Sequence, residues 1–167
     1  MQQMKQGLII AFLFSSMLFA LPAKALTDMD EKPVTIDGLI GKGKWSVFEI
    51  WASDCRMCRA SIYETVNFET ANPDVDVYGI SLDGVTGKTN AERFIDEYGL
   101  TFPNLLSTPS EIDTYLYSTA KESFIGTPTF MVFDPQGKLR VVQPGAVSEE
   151  ALSNFIKQQD AQEKPAP

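Results

Sequence analysis

Two cysteines, Cys55 and Cys58, stand three positions apart in the stretch Glu49-Ile50-Trp51-Ala52-Ser53-Asp54-Cys55-Arg56-Met57-Cys58-Arg59, and the chain has no others. The apolar run at 45–51 reads as a strand and residues 59–69 as a helix, so the pair falls at a strand-to-helix junction. Free backbone N–H groups and the positive end of a helix dipole favour a thiolate on the first cysteine there. Arg56 and Arg59 act in the same direction, and Asp54 opposes them. Three uses of such a pair are open. A permanent structural disulfide would close a tiny loop and contribute little through loop entropy. Half of a metal site would need further ligands, and no His and no third Cys exist to complete a tetrahedral set. A redox-active dithiol needs only the two sulfurs.

The absence of histidine also removes Ser-His and Cys-His catalytic arrangements. Two cysteines cannot form a multi-disulfide framework, so the fold must rest on packing, for which 44% hydrophobic residues and 11 Phe are available. The length of 167 residues suits one domain.

Residues 1–25 have the pattern of a targeting segment. Lys5 gives a positive start, 7–21 is an uncharged apolar run, and Ala23-Lys24-Ala25 is an A-x-A cleavage site. Cleavage after Ala25 is one outcome and an uncleaved anchor the other, though the run is short of the roughly 20 residues of a membrane span. Either way the domain is expected outside the cytoplasm, in the periplasm, where thiol chemistry runs against an oxidising background. Removing Lys5 and Lys24 with that segment takes the 14 basic residues to 12 against 22 acidic ones, a net charge of −10. Such acidity argues against nucleic acid and anionic membrane as partners.

Along the remainder, 26–32 reads as loose and polar, 33–38 as a short edge strand and turn, and 47–51 as a buried strand. The helix at 59–69 presents Ile62, Val66 and Glu69 on one face and ends at Asn72-Pro73. A second buried strand spans 75–82, and 83–87 is a loop. The helix at 89–98 turns Phe94 and Ile95 inward and stops at Gly99. Residues 100–109 read as irregular and 110–120 as a helix capped by Ser110. A strand at 129–133, the turn Asp134-Pro135-Gln136-Gly137 and a strand at 138–143 form a hairpin. The last helix runs over 148–159 with Ser148 as its cap and Leu152, Phe155 and Ile156 on one face. One domain over 26–160 and a disordered tail over 161–167 complete the reading. Strand–helix–strand units imply parallel strands and the hairpin adds antiparallel ones, so the fold class is α/β with a mixed central sheet flanked by helices.

At this point the motifs resemble a known family. Trp51-Ala52-x-x-Cys55-x-x-Cys58, Gly126-Thr127-Pro128-Thr129-Phe130 about 70 residues later, and the hairpin Asp134-Pro135-Gln136-Gly137-Lys138 are similar to those of the thioredoxin fold. Within it, they resemble the exported TlpA/ResA-like thiol–disulfide oxidoreductases, which include thioredoxin-like proteins of cytochrome c maturation. The resemblance spans Pro33 to Gln159 and includes the insert between Ser81 and Phe124, with its Phe102-Pro103 landmark. It implies a thioredoxin-like fold with an N-terminal strand extension and a helical insert. It also implies Cys55 as the exposed nucleophile, Cys58 as the buried resolving thiol, and Glu49 as the buried acid six residues before the nucleophile. Pro128 would be cis and face the pair, with the backbone of Thr127 holding the substrate chain. Trp51, Asp54, Arg56 and Met57 would complete the substrate-facing set.

The chain departs from the family at four places. Asp54 replaces an aromatic, Arg56-Met57 lacks the usual Pro, Tyr63 replaces a helix-kinking Pro, and Ser61 replaces an acid.

Other readings stay open at three of these residues. Glu49 could face solvent on an alternating strand. Pro128 could be trans, since only about 5–6% of X–Pro bonds in folded proteins are cis. Trp51, like Trp45, could be a packing residue instead of a ligand platform. The expected function is an exported thiol–disulfide oxidoreductase acting as a monomer on protein disulfides. Its electrons would come from a membrane or periplasmic thiol donor, with no cofactor and no metal. A disulfide oxidase or isomerase, and a non-catalytic assembly or binding module, are the alternatives.

Overall fold

A computed structural model describes residues 26–163. Residues 1–25, where a targeting segment and its cleavage site are expected, and the last four residues lie outside the described residues. Among the described residues no helix is long and apolar enough to cross a membrane.

The strands are β1 (Leu26–Asp28), β2 (Pro33–Val34), β3 (Ser46–Trp51), β4 (Asp76–Ser81), β5 (Asn104–Leu106), β6 (Thr129–Phe133) and β7 (Leu139–Pro144), and the helices α1 (Arg56–Ala71), α2 (Lys88–Tyr98), α3 (Pro109–Ala120) and α4 (Glu149–Glu163). The strands form one sheet in the order β2-β1-β5-β4-β3-β6-β7. β3, β4 and β5 are parallel, and β1, β2, β6 and β7 add antiparallel neighbours at both sides. The mixed sheet expected from the element order is thus present.

Alternation along β3 divides the core. Val47 and Trp51 join Cys58, Ile62 and Phe68 of α1, Phe94 of α2, and Leu152 and Ile156 of α4. Phe48 and Ile50 join Ile112 and Leu116 of α3 on the opposite face. Since successive side chains of a strand point to opposite faces, Glu49 lies on the face covered by α1. All six residues of β3 are buried, so polarity could not reveal which face was which.

Several boundaries differ from expectation, each for a local reason. The stretch 26–32 is not loose: β1 pairs with β5, and Asp28 Oδ1 accepts the amides of Asp30 and Lys32, both at 2.9 Å, closing a hairpin onto β2. The segment at 100–109 contains β5, three buried residues beside β4, where Gly79 N–H donates to Pro103 O at 2.9 Å. α1 begins at Arg56, three residues early, because Cys55 itself caps it. Its buried face is Cys58, Ser61, Ile62, Thr65 and Phe68, while Val66 and Glu69 are only partly covered. In α2, Phe94 is buried with Ala91, and Ile95 is half-buried. The cap of α3 is Thr108, not Ser110: Thr108 and Glu111 exchange bonds as a capping box with Pro109 at the first helical position. Ser148 Oγ accepts the Ala151 amide at 3.2 Å, as expected of a cap. Finally, α4 continues to Glu163, past residue 160.

Candidate active site

The site is assembled where β3 ends. After Trp51 the chain makes a turn in which Cys55 N–H donates to Ala52 O at 3.1 Å, and α1 starts at once. Cys55 has extended backbone angles, and its Sγ accepts the Cys58 N–H at 3.1 Å. An unpaired donor of the first helical turn thus points at the sulfur, an arrangement that stabilises negative charge there. Cys55 and Cys58 are joined as a disulfide with their Cα atoms 5.3 Å apart. Cys55 is half-buried and Cys58 is 0% exposed. The inequality follows from the helix: position 55 precedes it at the rim, and position 58 is one turn inside, on the face packed against the sheet.

The second segment reaches the pair from β6. The Thr127–Pro128 peptide bond is cis, and Thr127 O lies 3.5 Å from Cys55 Sγ. Thr129 Oγ1 donates to Gly126 O at 2.6 Å, and Gly145 N–H donates to Pro128 O at 2.8 Å, so the segment is anchored on both sides. Pro128 is buried and Thr127 half-buried. Asp54, Arg56 and Met57 are exposed at the rim.

Trp51 does not belong with them. It is 0% exposed, its ring stacks on Phe94 at 4.4 Å, and its Nε1–H donates to Asn104 Oδ1 at 3.2 Å. A side chain closed on all sides cannot touch a substrate, so its role is in the core.

Glu49 is 0% exposed, and neither carboxylate oxygen has a hydrogen-bond partner. Its neighbours across the sheet are Gly79 and Phe130, neither of them charged. Burial pushes its pKa up to about 8, and the Thr65 hydroxyl acts in the opposite direction. The solvent-facing reading of Glu49 is therefore excluded. Among the described residues no cluster of three or more His, Cys, Asp or Glu is placed to hold a metal ion.

Asp83, Asn104 and Gly79 carry no functional signal in the sequence, and Arg59 carries one only through its charge. Asp83, just beyond β4, accepts hydrogen bonds from Ser53 two residues before Cys55. Arg59, read only as a nearby charge, donates twice to Ser53 O, at 3.0 and 2.6 Å. Asn104 crosses over Gly79 to reach Trp51. A Cβ at 79 would collide with the Asn104 amide and lie 2.8 Å from Trp51 Nε1.

With this geometry in hand, comparison with known proteins is informative. The chain is 28% identical over 131 residues to the thiol-disulfide oxidoreductase ResA of Oceanobacillus iheyensis, across 77% of this chain and 63% of that protein. This chain thus spans under two thirds of that relative's length. Among solved structures it resembles StoA from Bacillus subtilis, with a TM-score of 0.61 and 19% identity over 79% of this chain and 94% of that one. It also resembles the thioredoxin domain of a thiol-disulfide oxidoreductase from Bacteroides vulgatus, with a TM-score of 0.61 and 19% identity over 81% and 91% of the two chains. The fold is therefore thioredoxin-like, as the motifs implied. The AhpC/TSA family profile matches residues 19–142, well over half the chain, and the protein belongs to that family.

Proposed function

We propose that the protein is an exported thiol–disulfide oxidoreductase that reduces protein disulfides through a mixed disulfide. The observation that carries this reading is the unequal pair: a half-buried Cys55 capping α1 and a wholly buried Cys58, bonded to each other beside the Thr127 carbonyl. The Cys55 thiolate attacks one sulfur of a substrate disulfide, forming a Cys55–substrate bond and releasing the other sulfur as a thiolate. The Cys58 thiolate then attacks Cys55 Sγ, closing the Cys55–Cys58 bond and releasing the second substrate thiol. The protein ends oxidised by two electrons and the substrate reduced by two. A thiol donor, in the membrane or the periplasm, returns the pair to the dithiol.

Glu49 is suited to take the Cys58 proton. With a pKa of about 8, about a tenth of it is ionised at pH 7, and that fraction is the base available to a buried thiol that must ionise before attack. Asp54, Arg56 and Met57 form the exposed border that a substrate chain meets, and the Thr127 backbone lies beside the sulfur that the chain joins. Relatives that bear the name thiol-disulfide oxidoreductase support this reading.

The deciding experiment is the reduction potential of the Cys55–Cys58 pair. A value near about −270 mV or lower supports a reductase, and one near about −120 mV an oxidant. A pair that cannot be reduced would leave a non-catalytic binding module. Export is tested by the intact mass of protein recovered from the cell envelope. A chain beginning at Leu26 supports cleavage, and one retaining Met1 to Ala25 supports an anchor.

A further inference from the structure

The turn that delivers Cys55 is closed by a single backbone bond, from Cys55 N–H to Ala52 O, with Ser53 and Asp54 at its inner positions. A surface turn with one such bond is easily opened. Here, however, every polar group of Ser53 is bound by a side chain from another element. Its N–H and its hydroxyl donate to the two carboxylate oxygens of Asp83, at 3.1 and 2.6 Å. Its carbonyl accepts Nε–H and Nη2–H of Arg59. Asp83 is fixed in turn. Ser81 Oγ, wholly buried at the end of β4, donates to it at 2.6 Å. The Asp83 N–H donates back to Ser81 Oγ at 3.2 Å. Gly87 closes behind, where an added Cβ would lie 2.8 Å from Asp83 Cβ.

We propose that Asp83 and Arg59 are the positioning pair of the redox centre: by gripping Ser53 from the sheet and from α1, they hold Cys55 where it closes onto Cys58. The inference rests on the redox reading of the cysteines. Cys58 lies inside α1 and is immobilised by packing, so the sulfur free to move is that of Cys55, and the 52–55 turn is what would let it move. Arg59 sits on the same helix as Cys58, which ties the turn to the element carrying the other sulfur. Asp83 ties it to β4. Both grips are charge-assisted, the stronger kind of hydrogen bond. Ring closure from the mixed disulfide is intramolecular, and its rate and equilibrium depend on how closely the two sulfurs are held.

Equilibration with glutathione reads this directly. One protein disulfide and two glutathione thiols give one protein dithiol and one glutathione disulfide, and the constant reports the effective concentration of the pair. Arg59→Gln separates positioning from charge. Losing a cation alone disfavours the thiolate and moves the equilibrium toward the disulfide, whereas losing the grip moves it toward the dithiol. We expect a shift of at least threefold toward the dithiol for Arg59→Gln and at least tenfold for Asp83→Ala. Asp83→Asn, whose amide oxygen still accepts the Ser53 N–H, should remain within threefold of wild type.

Thermal melting establishes that each variant is folded. Should Asp83→Ala not fold, Ser53→Ala, which removes one bond and no charge, takes its place with an expected shift of about threefold. A shift toward the disulfide in Arg59→Gln, or a shift toward the dithiol of less than threefold in Arg59→Gln or Asp83→Ala (less than twofold in Ser53→Ala where it takes the place of Asp83→Ala), would overturn the proposal. Wild-type protein that does not exchange with glutathione at all would overturn the redox reading and this inference with it.

Discussion

Cys55 Sγ lies 3.5 Å from the carbonyl oxygen of Thr127, 72 residues further along the chain. The contact exists because β3 and β6 pair antiparallel, with Ile50 opposite Thr129. The end of one strand and the start of the other therefore meet at the same end of the sheet. The Thr127 carbonyl is thereby held beside the half-buried sulfur.

The proposed roles of the two sulfurs rest on their unequal exposure. Cys58→Ser protein should accumulate mixed disulfides with substrates through Cys55, whereas Cys55→Ser should accumulate none, because Cys58 is sealed on the inner face of α1. Trapping followed by mass spectrometry distinguishes the cases. Mixed disulfides on Cys58 alone would reverse the assignment.

Glu49 gives a pH signature with a definite sign. Its folded pKa is raised from 4.5 to about 8, so between those values the folded protein binds more protons than the unfolded chain. The contribution of Glu49 to stability then falls as pH rises through that window and is constant on either side of it. Glu49→Gln should abolish this slope. Between pH 4 and pH 8 the variant should gain on wild type by an amount on the order of a few kcal/mol. Melting curves at both pH values check it. The same substitution should slow closure by Cys58 and leave the first attack by Cys55 largely unchanged in stopped-flow reduction of a model disulfide. Equal pH slopes in the two proteins would remove Glu49 from this role.

Asn104 satisfies a buried donor and uses a gap that only glycine leaves. It accepts the Trp51 indole N–H and donates to Phe102 O at 2.9 Å. Asn104→Leu should cost about 1–3 kcal/mol, since the indole N–H is left unpaired inside the core. Gly79→Ala should cost at least as much, because its Cβ meets the amide head-on. Urea denaturation measures both. Near-neutral values would mean that α2 and β5 can shift to make room.

The β6–β7 hairpin depends on one carboxylate. Asp134, 2% exposed, accepts the amides of Gln136 and Lys138 at 3.0 and 2.8 Å and pairs with Arg140 at 3.2 Å. Asp134→Ala strands those donors and should lower stability by about 2–3 kcal/mol. The redox equilibrium should change little, since the turn lies at the far end of β6 from Thr127. A large change in that equilibrium would show that the hairpin is coupled to the site.

Much of this molecule could be read from short-range patterns. A Cys-x-x-Cys pair after an apolar run and before a helical one locates the candidate site, since strand end and helix start are both local properties of the chain. The Asp134-Pro135-Gln136-Gly137 turn and the Ser148 cap are equally local. What escaped depended on residues far apart in sequence. β1 and β5 are three-residue strands that exist because they pair with one another and with β4, and no three-residue pattern announces a partner 79 positions away. Glu49 was ambiguous because every residue of β3 is buried. Its face was settled only by the layers on either side: α1 above Val47 and Trp51, and α3 beneath Phe48 and Ile50. The motif groups Trp51 with the substrate-facing residues, but α2 and Asn104 close over it. The Asp83–Ser53–Arg59 grip joins three segments whose side chains are ordinary polar residues one at a time. Burial and hydrogen-bond partnership are properties of pairs brought together by folding, and so these assignments came from the packed molecule, while the chemistry of the two sulfurs was already written in their spacing.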